Sequence, residues 1–145
     1  MDISTLMQIS SSGLNVQRKR IEAISSNLAN IETTRTQEGG PYRRKDVVVT
    51  ALPLENEFGD VLQTALGDKL KASQVTQVVE DQNEPQLIFN PDHPDANERG
   101  YVAMPNIDMM NEMVNLMTAS RTFEANITAM NASKAMAQRA IDLGR

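Results

Sequence analysis

Eleven residues near the middle of the chain, NPDHPDANERG (90–100), hold its densest set of groups able to do chemistry. Asp92, Asp95, Asn97 and Glu98 offer side-chain oxygens and His93 an imidazole, the donor types that gather around a cation. The spacing argues against the best-known oxygen cradle. Counted from Asp95, an EF-hand loop needs oxygen ligands at 97 and 99, glycine at 100 and glutamate at 106; Asn97 and Gly100 comply, Arg99 and Asn106 do not. Asx-Pro runs are first of all turn-formers, because the side chain bonds nearby backbone and proline fixes φ. His93 is the chain's one histidine, and there is no cysteine for it to activate. Phosphate-cradling G-x-x-x-x-G-K and G-x-G-x-x-G loops are absent. The segment therefore reads as a run of turns, with no catalytic, cofactor-binding or metal-binding residue assigned; a metal-dependent enzyme would have to show cation binding that fails on changing Asp92, His93 or Asp95.

A second constellation, SNLANIETT (26–34), sets side-chain amides beside an apolar stripe. Asn27, Asn30 and Thr34 follow steps of three and four alongside Ile24, Leu28 and Ile31. Asparagine is a poor helix-interior residue, so it needs a reason to be there. An amide both donates and accepts, so it can hold a neighbouring backbone or side chain in one register. It can also fray and cap a helix end. The two readings are compatible.

The elements that must position these groups follow from how charge and proline are distributed. At 145 residues the chain has the length of one domain. Aromatics are 3%, so a core must lean on Leu, Ile, Val and nine methionines. Residues 1–45 carry seven Lys/Arg against four Asp/Glu, residues 46–105 three against eleven, and residues 106–145 four of each. All six prolines, from Pro41 to Pro105, fall in or beside the acidic middle. Proline is excluded from helix interiors, so two helix-permissive ends enclose a proline-punctuated centre. No apolar run approaches a membrane span, and no cleavable leader opens the chain. A cytoplasmic protein and one exported without a cleaved signal would look the same.

In the N-terminal segment, Ile3, Met7, Leu14, Ile21, Ile24, Leu28 and Ile31 occupy seven of nine positions of an a/d seam, interrupted by Ser10 and Gln17. Asp2 is a candidate cap, and SSSG (10–13) is a place where the helix would bend or break. Continuous, it would extend roughly 43 Å. The C-terminal series Met109, Met113, Leu116, Phe123, Ile127, Met130, Ala137 and Ile141 repeats the theme, with Met110, Val114, Met117 and Leu143 on a second face. Asn106 is a candidate cap with Asp108 in the first turn, and Gly144 a stop, for a rod of roughly 57 Å. A helix apolar on two stripes is not satisfied by one partner. Pairing it with the N-terminal helix, parallel or antiparallel, leaves the methionine and alanine face uncovered.

Between the ends, KDVVVTALPL (45–54), ASQVTQVVED (72–81), PQLIF (85–89) and GYVAM (100–104) read as strands. Phe58, Val61, Leu62, Ala65 and Leu66 suggest a short helical or irregular stretch, and EGGP (38–41) a turn. The fold class is α+β: a helix over 1–35, a small mostly-β insert over 36–105 and a helix over 106–145, with the two ends packed as one coiled-coil domain. The basic runs RKR (18–20) and YRRK (42–45) do not amount to a nucleic-acid site. Three consecutive helical residues fan over about 200°, aromatics are scarce and the total charge is negative. These runs are read as a solvated flank.

The two ends also resemble the bacterial flagellar rod and hook proteins. SGLNVQRKRIEAISSNLANIETT followed by YRRK is similar to that family's N-terminal signature, and EMVNLMTASRTFEANITAMNASKAMAQRAIDLGR to its C-terminal one. NPDHPDANERGYVAMPNID resembles the segment typical of one member. Departures are small: Ser26 stands where relatives often repeat asparagine, and Phe123 where tyrosine is common. The resemblance implies a structural protein with no cofactor. It implies unfolded export through the flagellar type III apparatus without a cleaved signal, then polymerisation into the periplasmic rod that transmits torque. It further implies contacts with copies of itself, other rod proteins and the junction to the inner-membrane ring, with no nucleic acid and no membrane insertion. By it, Asn27, Ala29, Asn30 and Thr33 belong to one motif and Glu112, Met113, Val114, Arg121, Glu124, Ala125 and Asn126 to the other. The assembly interface is expected along both seams, Asn27, Asn30, Val114, Met117 and Asn126 included. A free-standing regulatory or chaperone-like coiled-coil module is the alternative.

Overall fold

The structure, a computed structural model, describes residues 3–53 and 71–144. Among them, two helices frame four strands: α1 (Ile3–Ala29), β1 (Lys45–Pro53), β2 (Lys71–Glu80), β3 (Gln86–Phe89), β4 (Tyr101–Met104) and α2 (Met109–Leu143). This is the α+β architecture with terminal helices. Asp2 as a cap, and the stretch carrying Phe58, Val61, Leu62, Ala65 and Leu66, lie outside the described residues. β1 pairs with β2 and β3 with β4. All four strands lie within a residue of the expected spans, because β-branched runs bounded by proline and turn residues leave little freedom.

The chain divides into two compact units: Met1–Lys19 with Val48–Gln77 and Ser120–Arg145, and Arg20–Val47 with Val78–Ala119. In the first unit α1 runs unbroken through Ser10–Gly13. Ser12 Oγ donates to the Ile9 carbonyl at 2.7 Å and accepts the Ser73 N–H at 3.3 Å, joining α1 to β2. Gly13 faces α2, where an added Cβ would stand 3.1 Å from Asn126 Nδ2. The residues that weaken an isolated helix are thus used for close approach. Thr50 and Thr76 hydroxyls bond across β1 and β2. Buried Ser133 satisfies itself on the Ala129 carbonyl at 3.0 Å.

The second unit holds Ile24, Asn27, Tyr42, Val47, Val102, Ile107, Glu112 and Ala119 out of water. β3 and β4 are antiparallel, with Ile88 opposite Val102 and Phe89 opposite Tyr101. The Phe89 and Tyr101 rings meet edge to face at 5.3 Å. Gly100 has φ of 79°, and a Cβ there would strike Phe89 at 2.9 Å, so glycine is required on both counts.

The start of α2 corrects the expected cap. Asp108, not Asn106, caps the helix: its Oδ1 accepts the N–H of Met110 at 2.9 Å and of Asn111 at 3.3 Å. Asn106 Oδ1 instead accepts from Gln86 Nε2 at 2.9 Å. Both residues can cap; the chain turns into the helix only after Ile107.

Within the second unit α1 meets α2 at Asn27 and Glu112; within the first, at Gly13 and Asn126. Along α2, Glu112, Leu116, Ala119, Phe123, Asn126, Met130, Ser133 and Ala137 are buried or half-buried. Glu112, Ala119, Asn126 and Ser133 each stand one position before a step of the heptad count (113, 120, 127 and 134), so small and polar groups take half of these positions.

Candidate assembly site

The loop that follows α1 decides which groups meet. Asn30 Nδ2 bonds the Ser26 carbonyl at 2.8 Å and Thr33 Oγ1 bonds Asn30 Oδ1 at 3.1 Å, closing the helix end. The chain reverses at Gly39 and Gly40, whose φ of 93° and 77° suit glycine. The Tyr42 N–H donates to the Thr33 carbonyl at 3.1 Å, so the returning strand runs beside the last turns of α1.

There Asn27, fully buried, uses every hydrogen-bonding position it has. Its Nδ2 donates to the Lys45 carbonyl at 2.9 Å and to Glu112 Oε2 at 3.1 Å. Its Oδ1 accepts the Lys45 N–H at 2.8 Å and the Tyr42 hydroxyl at 3.1 Å. Two donors and two lone pairs exhaust an amide. The Tyr42 proton being committed to Asn27, the Ser26 hydroxyl donates to Tyr42 across 3.0 Å. Glu112, 2% exposed, turns its other oxygen to Arg44, whose Nε and Nη2 both lie 2.8 Å from Oε1. Arg44 Nη1 also reaches Asp46 at 3.3 Å. Burial works against the Arg44 charge, but the hydrogen bonds and charges of Glu112 and Asp46 outweigh it and hold the guanidinium above its ordinary range. No buried side-chain donor or acceptor among the described residues lacks a partner. One network thereby ties α1, the strand entering β1 and the first turn of α2 into one register. Asn27 supplies the register and Asn30 the helix end, so the two amides divide the two roles.

The other face of α2 is the reverse of this. Met109, Met110, Val114 and Met117 are half or more exposed, Met110 by 73%, with Met113 only slightly less open. Towards the C-terminal end Met136, Ile141 and Leu143 are exposed too, Leu143 by 89%. Among the other seam residues, Ile24 is buried and Met7, Leu14, Ile21 and Leu28 are half-buried on α1; Ile31, also half-buried, lies in the turn beyond the helix, and Leu116, Phe123, Asn126, Ile127 and Met130 are half-buried on α2. Ile3 opens α1. The reading of YRRK as a solvated flank fails at Tyr42, which is buried, and at Arg44, which pairs with buried Glu112. Their roles depend on a chain reversal that periodicity does not show, and the Gly-Gly-Pro turn just before them was the available signal.

The loop at 90–100 is built from turns. Asp95 N–H bonds His93 Nδ1 at 3.1 Å, and Asn97 Oδ1 accepts from Arg99 and Tyr101 N–H at 3.0 and 2.9 Å. Asp95 Oδ2 accepts from Thr34 Oγ1 at 2.7 Å, fastening the loop to the end of the first motif. Among the described residues no three His, Asp or Glu side chains come together as a metal site. No described helix is long and apolar enough to cross a membrane. Arg18, Lys19 and Arg20 are exposed.

Comparison with known proteins places these features. Residues 7–36 match the family model described as flagella basal body rod protein, and residues 98–143 the flagellar basal body rod FlgEFG protein C-terminal. The first match holds Asn27 and Asn30; the second holds Glu112 and the methionine stripe. The chain is 39% identical over 146 residues to the flagellar basal-body rod protein FlgC of Bacillus subtilis, covering 96% of each. It is 36% identical to the proteins of that name in Borreliella burgdorferi, covering 97% of each, and Salmonella typhimurium, covering all of both. With both helices and the strands between them aligned to such relatives over nearly their whole length, the chain belongs to the flagellar basal-body rod proteins of the FlgC family.

Proposed function

We propose that this chain enters the flagellar basal-body rod by docking the exposed stripe of α2 onto helices of neighbouring rod subunits, while the Asn27–Glu112–Arg44 network holds its own helices in register. The chain is a structural subunit of the rod, as its family is, and not an enzyme; it works there in company with other flagellar components. The observation that carries the docking reading is the Met109–Met117 stripe, apolar, continuous and left uncovered by α1. Methionine packs adaptably, which suits a seam facing non-identical neighbours. Contacts of this kind join different patches on successive copies, so they propagate instead of closing.

The finer reading follows the same line. The chain leaves the cytoplasm through the flagellar type III apparatus without a cleaved signal and assembles in the periplasm. It meets copies of itself, other rod proteins and the junction with the inner-membrane ring, and close packing of many helices transmits torque.

Two experiments test this. Deleting residues 1–30 should abolish incorporation into basal bodies; normal incorporation would place assembly outside the helix pair. Met113→Asp should leave the monomer folded yet block incorporation. A small closed oligomer indifferent to other rod components would instead support a free-standing coiled-coil module.

A further inference from the structure

We infer that Met109, Met110, Met113 and Met117 form an oxidation-sensitive patch whose chemical state decides whether a subunit can dock. The inference rests on the docking reading above. Four sulfurs cluster within the opening turns of α2, 45–73% exposed; Met136, 57% exposed, stands alone towards the other end of the helix, and Met7, Met104 and Met130 are half-buried. Spacing of four places 109, 113 and 117 on one line, with 110 beside them. None lies on the face that Glu112, Leu116 and Ala119 turn inward, so their modification leaves the fold alone.

The chemistry is a two-electron oxygen transfer from hydrogen peroxide. A sulfur lone pair attacks one peroxide oxygen, the O–O bond breaks and an S–O bond forms. The departing hydroxide takes the remaining proton and leaves as water. Sulfur is oxidised and peroxide reduced, and the thioether becomes a polar sulfoxide with a strong acceptor oxygen. In a dry helix seam that oxygen meets no donor, and an unpaired polar group resists burial. Docking and oxidation therefore exclude each other: a free subunit is vulnerable, a docked one is shielded.

The test uses the full chain and hydrogen peroxide. Sulfoxide at each methionine is measured by mass spectrometry in the purified chain and in isolated basal bodies. The four sulfurs should oxidise about tenfold more slowly in basal bodies; equal rates would overturn the inference. In cells carrying one version as sole copy, a peroxide pulse during rod building should reduce new basal bodies for wild type. Each version being compared with its own untreated cells, the Met109→Leu, Met110→Leu, Met113→Leu, Met117→Leu chain should be spared; an equal fractional fall in both would also overturn it. Thermal unfolding of the oxidised monomer should be unchanged, and a lowered midpoint would mean damage to the fold instead of the seam. Met113→Asp separates the two readings. If it builds rods normally, docking by this stripe fails; if it blocks building while full sulfoxidation does not, only the oxidation inference fails.

Discussion

The two faces of α2 depart from those of an ordinary amphipathic helix. The buried positions mix Leu116, Phe123 and Met130 with Glu112, Ala119, Asn126 and Ser133, polar or small; the face left in water carries Met109, Met110, Met113, Val114 and Met117. In a self-sufficient domain the hydrophobic stripe turns inward, because apolar burial drives folding. Here polar groups among the inward residues set alignment, while an apolar stripe is left outward for cohesion. Polar contacts are directional and fix one register, while apolar ones are tolerant and accept several neighbours.

Changes on the two faces should therefore fail differently, and the largest effect on the monomer belongs to Glu112. Glu112→Ala strands Arg44 and one Asn27 donor, and urea unfolding should report a loss of about 3 kcal/mol. Replacing Glu112 with Leu and Arg44 with Met together should recover most of that, since burying an apolar pair removes the stranded charge. Asn27→Ala should follow at about 2 kcal/mol, having left the Lys45 backbone groups without partners. On the opposite face, Met110→Ser should change monomer stability by no more than about 0.5 kcal/mol, while incorporation into basal bodies falls. If stripe variants unfold the chain, the contrast between the faces disappears.

Smaller effects sharpen the same picture. At Gly13, alanine gains about 1 kcal/mol of helix propensity but displaces Asn126. Gly13→Ala should be close to neutral in thermal unfolding and Gly13→Val clearly destabilising. The smallest effect concerns acid. Backbone and side-chain hydrogen bonds from Asn83 hold the Asp81 carboxyl below its usual range. A depressed carboxyl contributes stability above its unfolded value of about 3.9 and loses it as pH falls through the folded one. The gap between wild type and Asp81→Asn should therefore close on titration below about pH 4. Arg44 has the opposite sign: its raised value lends stability throughout the range below ordinary guanidinium titration, so alkali should not loosen the network before other groups titrate.

How much of this could be read from residues alone varied with range. The strands were legible because Val47–Val49 and Val78–Val79 sit between prolines and turn residues, and Gly39-Gly40 marked the reversal. The α1 seam was legible from Ile21, Ile24 and Leu28, and Asn27 announced itself by being out of place among them. The cap was misassigned because Asn106 and Asp108 are chemically equivalent until the path of the chain is known. Counting apolar steps on α2 followed the methionines, and it passed over Ser133 because a seam of small and polar residues has no hydrophobic period to detect. Gly13 looked like a weakness because its partner, Asn126, lies more than a hundred residues away.

Asn27 grips residue 45 by its main-chain amide and carbonyl and never by its side chain. The grip is therefore blind to what residue 45 is. Any amino acid with a free N–H satisfies it, and proline alone is barred. The lysine there remains open to replacement for what its ammonium does outside, whether near Glu80 or over the Tyr42 ring, without loosening the joint beneath.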